Sequence, residues 1–395
     1  MSDRKTDFII FSDDRSGIPT SSMHLADRLT KRGRVFWLNT YTRTPNFSRK
    51  DFSRAFRVLT GRSGQPVASG QAGPDDVEPE IRDLTPKSIP WFIPPIRKIN
   101  GILGRRFLHK LFRDHQIHSP VLITTFPCTV DTFRAVRDVT TQVYYCVDEW
   151  AEYPGLHPGR WAKMERELLE LVDGNVFTSR DLLQRKSRGK PCLYLQHGVD
   201  FEHFSGAGKN AMIPENLASL PKPVIGFFGT IDTWVDMGVV ATLAKRFPQF
   251  SFVVVGRSLV SLDMLQGLKN VHALGPVPYA ELPDYARCFD VGLIPFKLND
   301  LTKAVNPLKL MEYFAVGIPV ISTRLPDILD MPGPLFFAST HEEFGDQLET
   351  ILSQDPATLK NEAWETAKKN SWDSRAEDFV RFIRSMARQG CVAAP

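Results

Sequence analysis

Short runs of apolar and β-branched residues alternate with helical patterns along the whole chain, and this alternation restricts the fold more than any other feature. It is typical of parallel sheets covered by helices. A chain of 395 residues is also longer than the roughly 250–300 residues that one hydrophobic core supports. We therefore expect an α/β protein with two Rossmann-like, doubly wound domains facing a cleft, where open α/β sheets bind ligands. The predicted strands are 8–11, 35–38, 121–126, 143–146, 175–179 and 192–196 in the first half, and 224–229, 250–256, 270–275, 290–295, 319–323 and 334–338 in the second.

A small, polar, proline-bearing segment at 206–223 separates the two series of strands and predicts the linker between the domains. We expect domains at 1–205 and 206–372, followed by a helix at 373–395 that crosses back onto the first domain. A second stretch, 61–90, is rich in Gly, Pro, Ser and Asp, which predicts weak order.

The composition indicates a folded protein of a reducing compartment. Hydrophobic residues make up 42% of the chain and charged residues 24%, as in globular proteins. No run approaches the roughly 18 apolar residues of a membrane span, and the first residues lack a signal-peptide core. The five cysteines form no CxxC pair, which argues against disulfides and a zinc site. We expect a cytoplasmic location.

The charge is unevenly distributed. Residues 1–200 contain 31 Lys and Arg against 23 Asp and Glu, whereas residues 201–395 contain 18 against 22. The excess lies in two basic stretches, 41–62 and 97–113, which should attract anions. No nucleic-acid recognition motif accompanies this charge, so we expect no nucleic-acid partner.

Apolar residues recur at helical spacing around the second basic stretch. This pattern predicts either a helix lying on an anionic bilayer or a core helix with a solvated basic back. The apolar positions are Ile96, Ile99, Leu103, Phe107 and Leu111.

The segment 306–322 carries the clearest chemistry. Pro307 suits the first turn of a helix, Lys309 and Glu312 lie three residues apart on one face, and Gly317 ends the helix. A helix N-terminus beside a lysine favours phosphate, and a carboxylate one turn further can accept hydrogen bonds from a ribose diol. An exposed ion pair between Lys309 and Glu312 is the alternative interpretation.

This segment, with GFFGT (226–230), VVVGR (253–257), 274–296 and GVDFEHF (198–204), resembles the bacterial glycosyltransferases of the two-domain GT-B type. It is similar to the large retaining family of lipopolysaccharide and exopolysaccharide transferases. The resemblance covers most of residues 5–385 and implies that the first domain binds the acceptor and the second the nucleotide-sugar donor.

The resemblance implies roles for individual residues of the second domain. Glu312 matches the second Glu of the family's Glu-x7-Glu pair, which binds the nucleotide ribose, whereas Ala304 stands at the first, sugar-contacting position. The family's basic pair after the first strand of this domain is replaced by a turn beginning Gly229-Thr230. Lys309 matches a donor-binding lysine of the xanthan glucuronosyltransferase. The remaining predicted donor contacts are Asn306, Gly229, Thr230, Arg257 and His197. We expect neither a metal nor a cofactor.

In the first domain, VYYCVDEW (143–150) ends a strand with two adjacent acids. Asp148 resembles the general base of the same glucuronosyltransferase, with a helix cap or a salt bridge as the alternative. Gly17 remains from the Gly-rich turn that normally faces the acceptor. Arg105, Arg106 and Lys110 are the predicted acceptor or membrane contacts.

We therefore expect a glycosyltransferase that moves a sugar from a nucleotide donor, UDP rather than GDP, to a lipid-linked or polysaccharide acceptor in cell-surface glycan synthesis. It would act at the inner face of the cytoplasmic membrane, attached peripherally. A UDP-sugar 2-epimerase and a catalytically silent GT-B scaffold are the alternatives. The retaining-family and glucuronosyltransferase resemblances disagree on the anomeric outcome.

Overall fold

The structure, a computed structural model, describes residues 6–15, 19–40, 81–89, 91–153, 155–206 and 213–390, with backbone alone for 387–390. The described residues form two units. The first contains those up to Gln196 and those from Ala376 onwards, and the second spans His197–Arg375. Gly17 and the basic stretch 41–62 lie outside the described residues.

The first unit is built on a seven-stranded parallel sheet in the order β3-β2-β1-β4-β5-β6-β7. Its central strands are buried along their whole length because helices cover both faces. The strands are β1 (Phe8–Ser12), β2 (Val35–Asn39), β3 (Ile81–Leu84), β4 (Val121–Thr124), β5 (Thr141–Cys146), β6 (Gly174–Phe177) and β7 (Cys192–Tyr194). The helices are α1 (Ser21–Leu29), α2 (Pro94–Asp114), α3 (Val130–Ala135), α4 (Pro158–Leu171) and α5 (Arg180–Lys186).

The second unit has a six-stranded parallel sheet in the order β10-β9-β8-β11-β12-β13. Its strands are β8 (Val224–Phe228), β9 (Ser251–Val255), β10 (Val271–Gly275), β11 (Val291–Ile294), β12 (Val320–Thr323) and β13 (Leu335–Ala338). The helices are α6 (Phe201–Ser205), α7 (Glu215–Ala218), α8 (Met237–Arg246), α9 (Leu282–Ala286), α10 (Asp300–Lys303), α11 (Leu308–Val316), α12 (His341–Leu352) and α13 (Pro356–Lys369).

A last helix, α14 (Trp372–Gly390), returns to the first unit. Its apolar side chains at Ala376, Phe379, Ile383 and Met386 join the core formed by α1 and the strands of that unit. The C-terminal segment is thus part of the first hydrophobic core.

Two predictions about connecting segments need correction. The boundary between the units falls at 196/197 instead of 205/206, because Val199, Phe204 and Leu217 are buried in the core of the second unit. The predicted linker 206–223 therefore contributes a helix, α7, to that unit. Of the stretch 61–90, only residues 81–89 are described, and there the prediction of weak order is wrong, because β3 pairs in parallel with β2.

Helix α2 is a core helix with a basic outer face. Its apolar stripe faces the protein, since Leu111 is buried and the other stripe residues are half-buried. Gly101 and Gly104 let α2 approach α3 so closely that a Cβ on Gly104 would lie 2.3 Å from Thr132 Oγ1. The stripe therefore packs partly against the protein, and α2 presents its basic residues and Ile102 to solvent.

Candidate functional site

In the second unit, buried polar contacts fix the start of α11. Pro307 is the N-cap of this helix, and the buried Asn306 precedes it. Asn306 Nδ2 donates to Asp327 Oδ2 at 2.5 Å, and its Oδ1 accepts from the backbone N–H of His197 at 3.3 Å. Burial, with a contribution from Arg375, lowers the pKa of His197 to about 3, so this imidazole is neutral. Asn306 and His197 thus hold the helix N-terminus in place.

Lys309, in the first turn of α11, carries a partly buried ammonium group that no carboxylate of the described residues pairs with directly. Its Nζ lies 5.7 Å from the ring centroid of Phe227 and 5.4 Å from that of Phe296. It makes no hydrogen bond or ion pair with any described residue. Burial lowers the pKa of Lys309, while Glu312 opposes this shift. An anionic ligand would supply the missing charge compensation.

Glu312 lies one turn further along α11. Burial raises the pKa of its carboxyl to about 7, and Lys309 opposes the rise. The next residue, Tyr313, is fully buried and fixes α11 to the sheet, because its hydroxyl accepts from the backbone N–H of Phe228 at 3.2 Å. Glu312 is thus a carboxyl group that titrates near neutral pH, on a helix fixed to the sheet.

The turn after β8 packs against Lys309, and the turn after β9 packs against the turn after β8. Gly229 has φ +127°, and a Cβ there would lie 2.2 Å from Lys309 Cε. Gly256 has φ +143°, and a Cβ there would lie 2.0 Å from the carbonyl oxygen of Gly229. Thr230 is partly buried in the first turn, and Arg257 is exposed in the second. The structure therefore brings Gly229, Thr230, Arg257 and Lys309 to one edge of the sheet.

Two further cations lie at this edge, and the sequence analysis did not single them out. A cavity of about 340 Å³ is lined by Phe296, Lys297 and Arg324, among others. Lys297 follows β11 and Arg324 follows β12, and both are exposed. Both residues could have been identified in the sequence, because each is a basic residue that shortly follows a buried apolar run. Ala304, by contrast, is buried at the end of α10 and offers no polar group.

The first unit presents a carboxyl group after β5. Burial, then Asp13, raises the pKa of Asp148 to about 7, while Lys186 opposes the rise. Asp13, after β1, has a raised pKa as well, through burial and the neighbouring Asp14. Within the described part of the chain, no hydrogen bond or ion pair engages the carboxyl of Asp148. Such a group can exchange a proton near neutral pH.

The outer face of α2 is cationic. Arg105, Arg106 and Lys110 are exposed on it, together with Ile102, which is 53% exposed. Arg97 differs, because it forms ion pairs of 2.7 and 2.5 Å with acidic side chains of α3 and α4. In the described residues, no helix is long and apolar enough to cross a membrane, and no cluster of His, Cys, Asp or Glu could hold a metal ion.

Residues 222–354, which hold most of the second unit and its lysine site, match the family model of glycosyl transferases group 1. The second unit is therefore similar to the group 1 glycosyl transferases, and the two parallel α/β units are the fold of the solved glycosyltransferase structures described next.

Among curated proteins, it is 26% identical over 262 residues to TuaH of Bacillus subtilis (strain 168), described as a teichuronic acid biosynthesis glycosyltransferase. That alignment covers 61% of this chain and 66% of the relative, just under two thirds of its length. The fold is similar to a sucrose-phosphate synthase from Thermosynechococcus elongatus, with a TM-score of 0.70 at 15% identity, covering 96% of this chain and 99% of the other. It is also similar to Anabaena HepE in complex with UDP, with a TM-score of 0.64 at 14% identity, covering 96% and 100%.

Proposed function

We propose that this protein transfers a sugar from a UDP-sugar to a lipid-linked or polysaccharide acceptor in cell-surface glycan synthesis. The observation that carries the proposal is Lys309, a partly buried cation at the edge of the second sheet that makes no hydrogen bond or ion pair with a described residue. A nucleoside diphosphate is the anion that such a helix start suits. Solved relatives of this fold bound to UDP and to UDP-glucose support uridine as the base.

In the proposed reaction, the acceptor oxygen forms a bond to the anomeric carbon as the bond from that carbon to the diphosphate breaks. UDP leaves with both electrons of the broken bond, and Lys309 stabilises its developing charge, with Arg257 as a second cation. Glu312 accepts hydrogen bonds from the ribose hydroxyls. The acceptor hydroxyl gives its proton to Asp148. The cations and backbone N–H groups replace a divalent metal ion.

The proposed acceptor is presented at an anionic membrane surface. The likeness to a teichuronic acid glycosyltransferase supports a cell-surface glycan, and the exposed cations of α2 support peripheral attachment at the inner face of the membrane. Each Lys or Arg near such a surface contributes on the order of 1 kcal/mol. Arg105, Arg106 and Lys110 together would support reversible binding.

Thermal-shift measurements with UDP, GDP, ADP and their sugars, in the presence of EDTA, test the donor assignment, because a bound ligand raises Tm by mass action. We expect UDP and a UDP-sugar to stabilise the protein, and UDP to be released when an acceptor is added. The proposal fails if no nucleotide stabilises the protein. Donor binding without turnover would favour a silent scaffold, and acceptor-independent conversion of the UDP-sugar would favour an epimerase. Loss of activity in EDTA would contradict metal independence.

A further inference from the structure

Below the loop that carries Asp148, the first unit contains a buried ionic cluster that the proposed reaction does not use. Lys186, at the end of α5, is 7% exposed. Its Nζ lies 2.8 Å from both carboxylate oxygens of Glu165 on α4, and 2.9 Å from Glu149 Oε1. Tyr144 on β5 donates its hydroxyl hydrogen to Glu165 Oε1 at 2.6 Å. One buried lysine thus ties α4, α5 and the loop after β5 together.

Burying this cluster is unfavourable in free energy. Removing three charged groups from water costs several kcal/mol per ion, and the mutual attraction offsets this only when the geometry is good. Here the second carboxylate oxygen of Glu149 is paired with Arg185 at 2.8 Å, so every charge has an opposite neighbour. Burial alone would lower the pKa of Lys186, but Cys146, Glu165 and Glu149 outweigh it, so Lys186 stays charged. Well-packed apolar side chains would fill this space at a lower cost, which points to a role beyond stability.

The cluster acts on Asp148 through its chain neighbour. Glu149 is held by Lys186, and the backbone before it is held because Thr178 Oγ1 donates to the carbonyl oxygen of Val147 at 3.2 Å. The loop is therefore fixed on both sides of Asp148, while the carboxyl of Asp148 itself is left without a hydrogen-bond partner among the described residues.

We propose that Lys186 is a positioning residue of the transfer reaction, which fixes the loop bearing Asp148 by binding Glu149. This inference rests on the proposed function, in which Asp148 accepts the acceptor proton. The charge of Lys186 also keeps Asp148 ionisable near neutral pH against burial and the neighbouring acids. The charged groups that act on Asp148 are Asp13 after β1, Glu149 on its own loop and Lys186 on α5. Behind them, Asp14 acts on Asp13, Arg185 pairs with Glu149, and Glu165 pairs with Lys186.

Lys186→Met removes the charge and the clamp. Since the lysine cation opposes the rise in the pKa of Asp148, its loss should move the acid limb of the kcat/KM profile upward, by about one pH unit. We expect kcat to fall about 10-fold or more, with UDP binding unchanged, and Lys186→Arg to restore part of the rate. Lys190→Met is the matched control, because Lys190 is exposed in the same segment.

Glu149→Gln gives a second test of opposite sign, and it applies even if Lys186→Met does not fold. This substitution weakens the clamp but removes a negative neighbour, so kcat should fall while the acid limb moves downward. If the acid limb of the kcat/KM profile stays at the wild-type pH in both variants, the inference is overturned. The cluster would then have only a structural role, and its loss would only lower Tm. If Asp148→Asn turned over at the wild-type rate, the base assignment and this inference would fall together. If Asp148→Asn is inactive but the acid limb does not move in the Lys186 and Glu149 variants, the inference about Lys186 is overturned and the assignment of Asp148 as the base remains.

Discussion

Gly229 and Lys309 are packed so closely that a single methyl group would not fit between them, since a Cβ on Gly229 would lie 2.2 Å from Lys309 Cε and 2.6 Å from Nζ. The end of the Lys309 side chain therefore lies directly against the turn after the first strand of the second unit. This contact aims the ammonium group where a diphosphate is proposed to bind.

Gly229→Ala should weaken UDP binding about 10-fold or more, because the new methyl group displaces the ammonium of Lys309. The positive φ of +127° adds backbone strain and should lower Tm. Gly267→Ala is the control, because Gly267 also has a positive φ, +79°, but a Cβ there would meet no described atom within 4 Å. Calorimetric titration should show normal UDP affinity in the control. If both variants lost UDP affinity equally, the effect would come from backbone strain and not from displacement of Lys309.

Glu312 should make donor binding depend on pH. Its carboxyl, with a pKa of about 7, is ionised at pH 8 and protonated at pH 6, and the ionised form accepts hydrogen bonds more strongly. UDP-glucose, whose diphosphate does not change its charge in this range, should bind more tightly at pH 8 than at pH 6. Glu312→Gln should remove this difference, whereas the exposed Glu281→Gln should retain it. A wild-type affinity that is the same at both pH values would contradict the ribose assignment.

Asp148→Asn should lower kcat about 100-fold or more while leaving UDP binding intact, as expected when a general base is lost. In the wild type, activity should decline as the pH falls through about 7, because only the ionised carboxyl accepts a proton. Asp138→Asn, at an exposed position of the same unit, should have no effect on either property. Near-normal turnover of the Asp148 variant would show that the base lies elsewhere.

The same substitution should stabilise the protein. Burial raises the pKa of Asp148 above that of an unfolded aspartate, so the native state loses stability as the pH rises from about 4 to about 7 and the group ionises. Asparagine does not ionise, and the gain in Tm of Asp148→Asn should be larger at pH 8 than at pH 5. Equal Tm differences at both pH values would contradict this shift.

The central strands were predictable because their apolar runs are fully buried between layers of helices. β3 was not predicted, since Arg82 and Asp83 interrupt an edge strand whose residues are only partly buried or exposed. The Arg97 ion pairs were not predictable either, because their partners lie 34 and 70 residues away in the sequence. The sequence suggested Lys309 and Glu312 through their spacing, but not that burial shifts the pKa of both. For Lys309, that burial depends on residues distant in the sequence, Phe227 on β8 and Phe296 after β11.

The basic face of α2 should bind anionic vesicles and not zwitterionic ones. Replacing Arg105, Arg106 and Lys110 with Gln should reduce co-sedimentation, and so should salt, since exposed charges are screened over about 10 Å at 0.1 M. A triple change at Lys360, Lys368 and Lys369, exposed on α13, is the matched control. Equal binding to both kinds of vesicle, or none to either, would favour a soluble acceptor.

The proposed diphosphate contact of Lys309 is tested most directly by calorimetric titration of UDP and UMP into the wild type and Lys309→Met. Because Lys309 is proposed to neutralise the diphosphate, the variant should lose about 10-fold or more in affinity for UDP and much less for UMP. Lys303 is exposed at the end of α10, the short helix that precedes α11. Lys303→Met should bind both nucleotides like the wild type. Unchanged UDP affinity in Lys309→Met, or equal losses for UDP and UMP, would contradict the assignment of Lys309 as the diphosphate-binding cation.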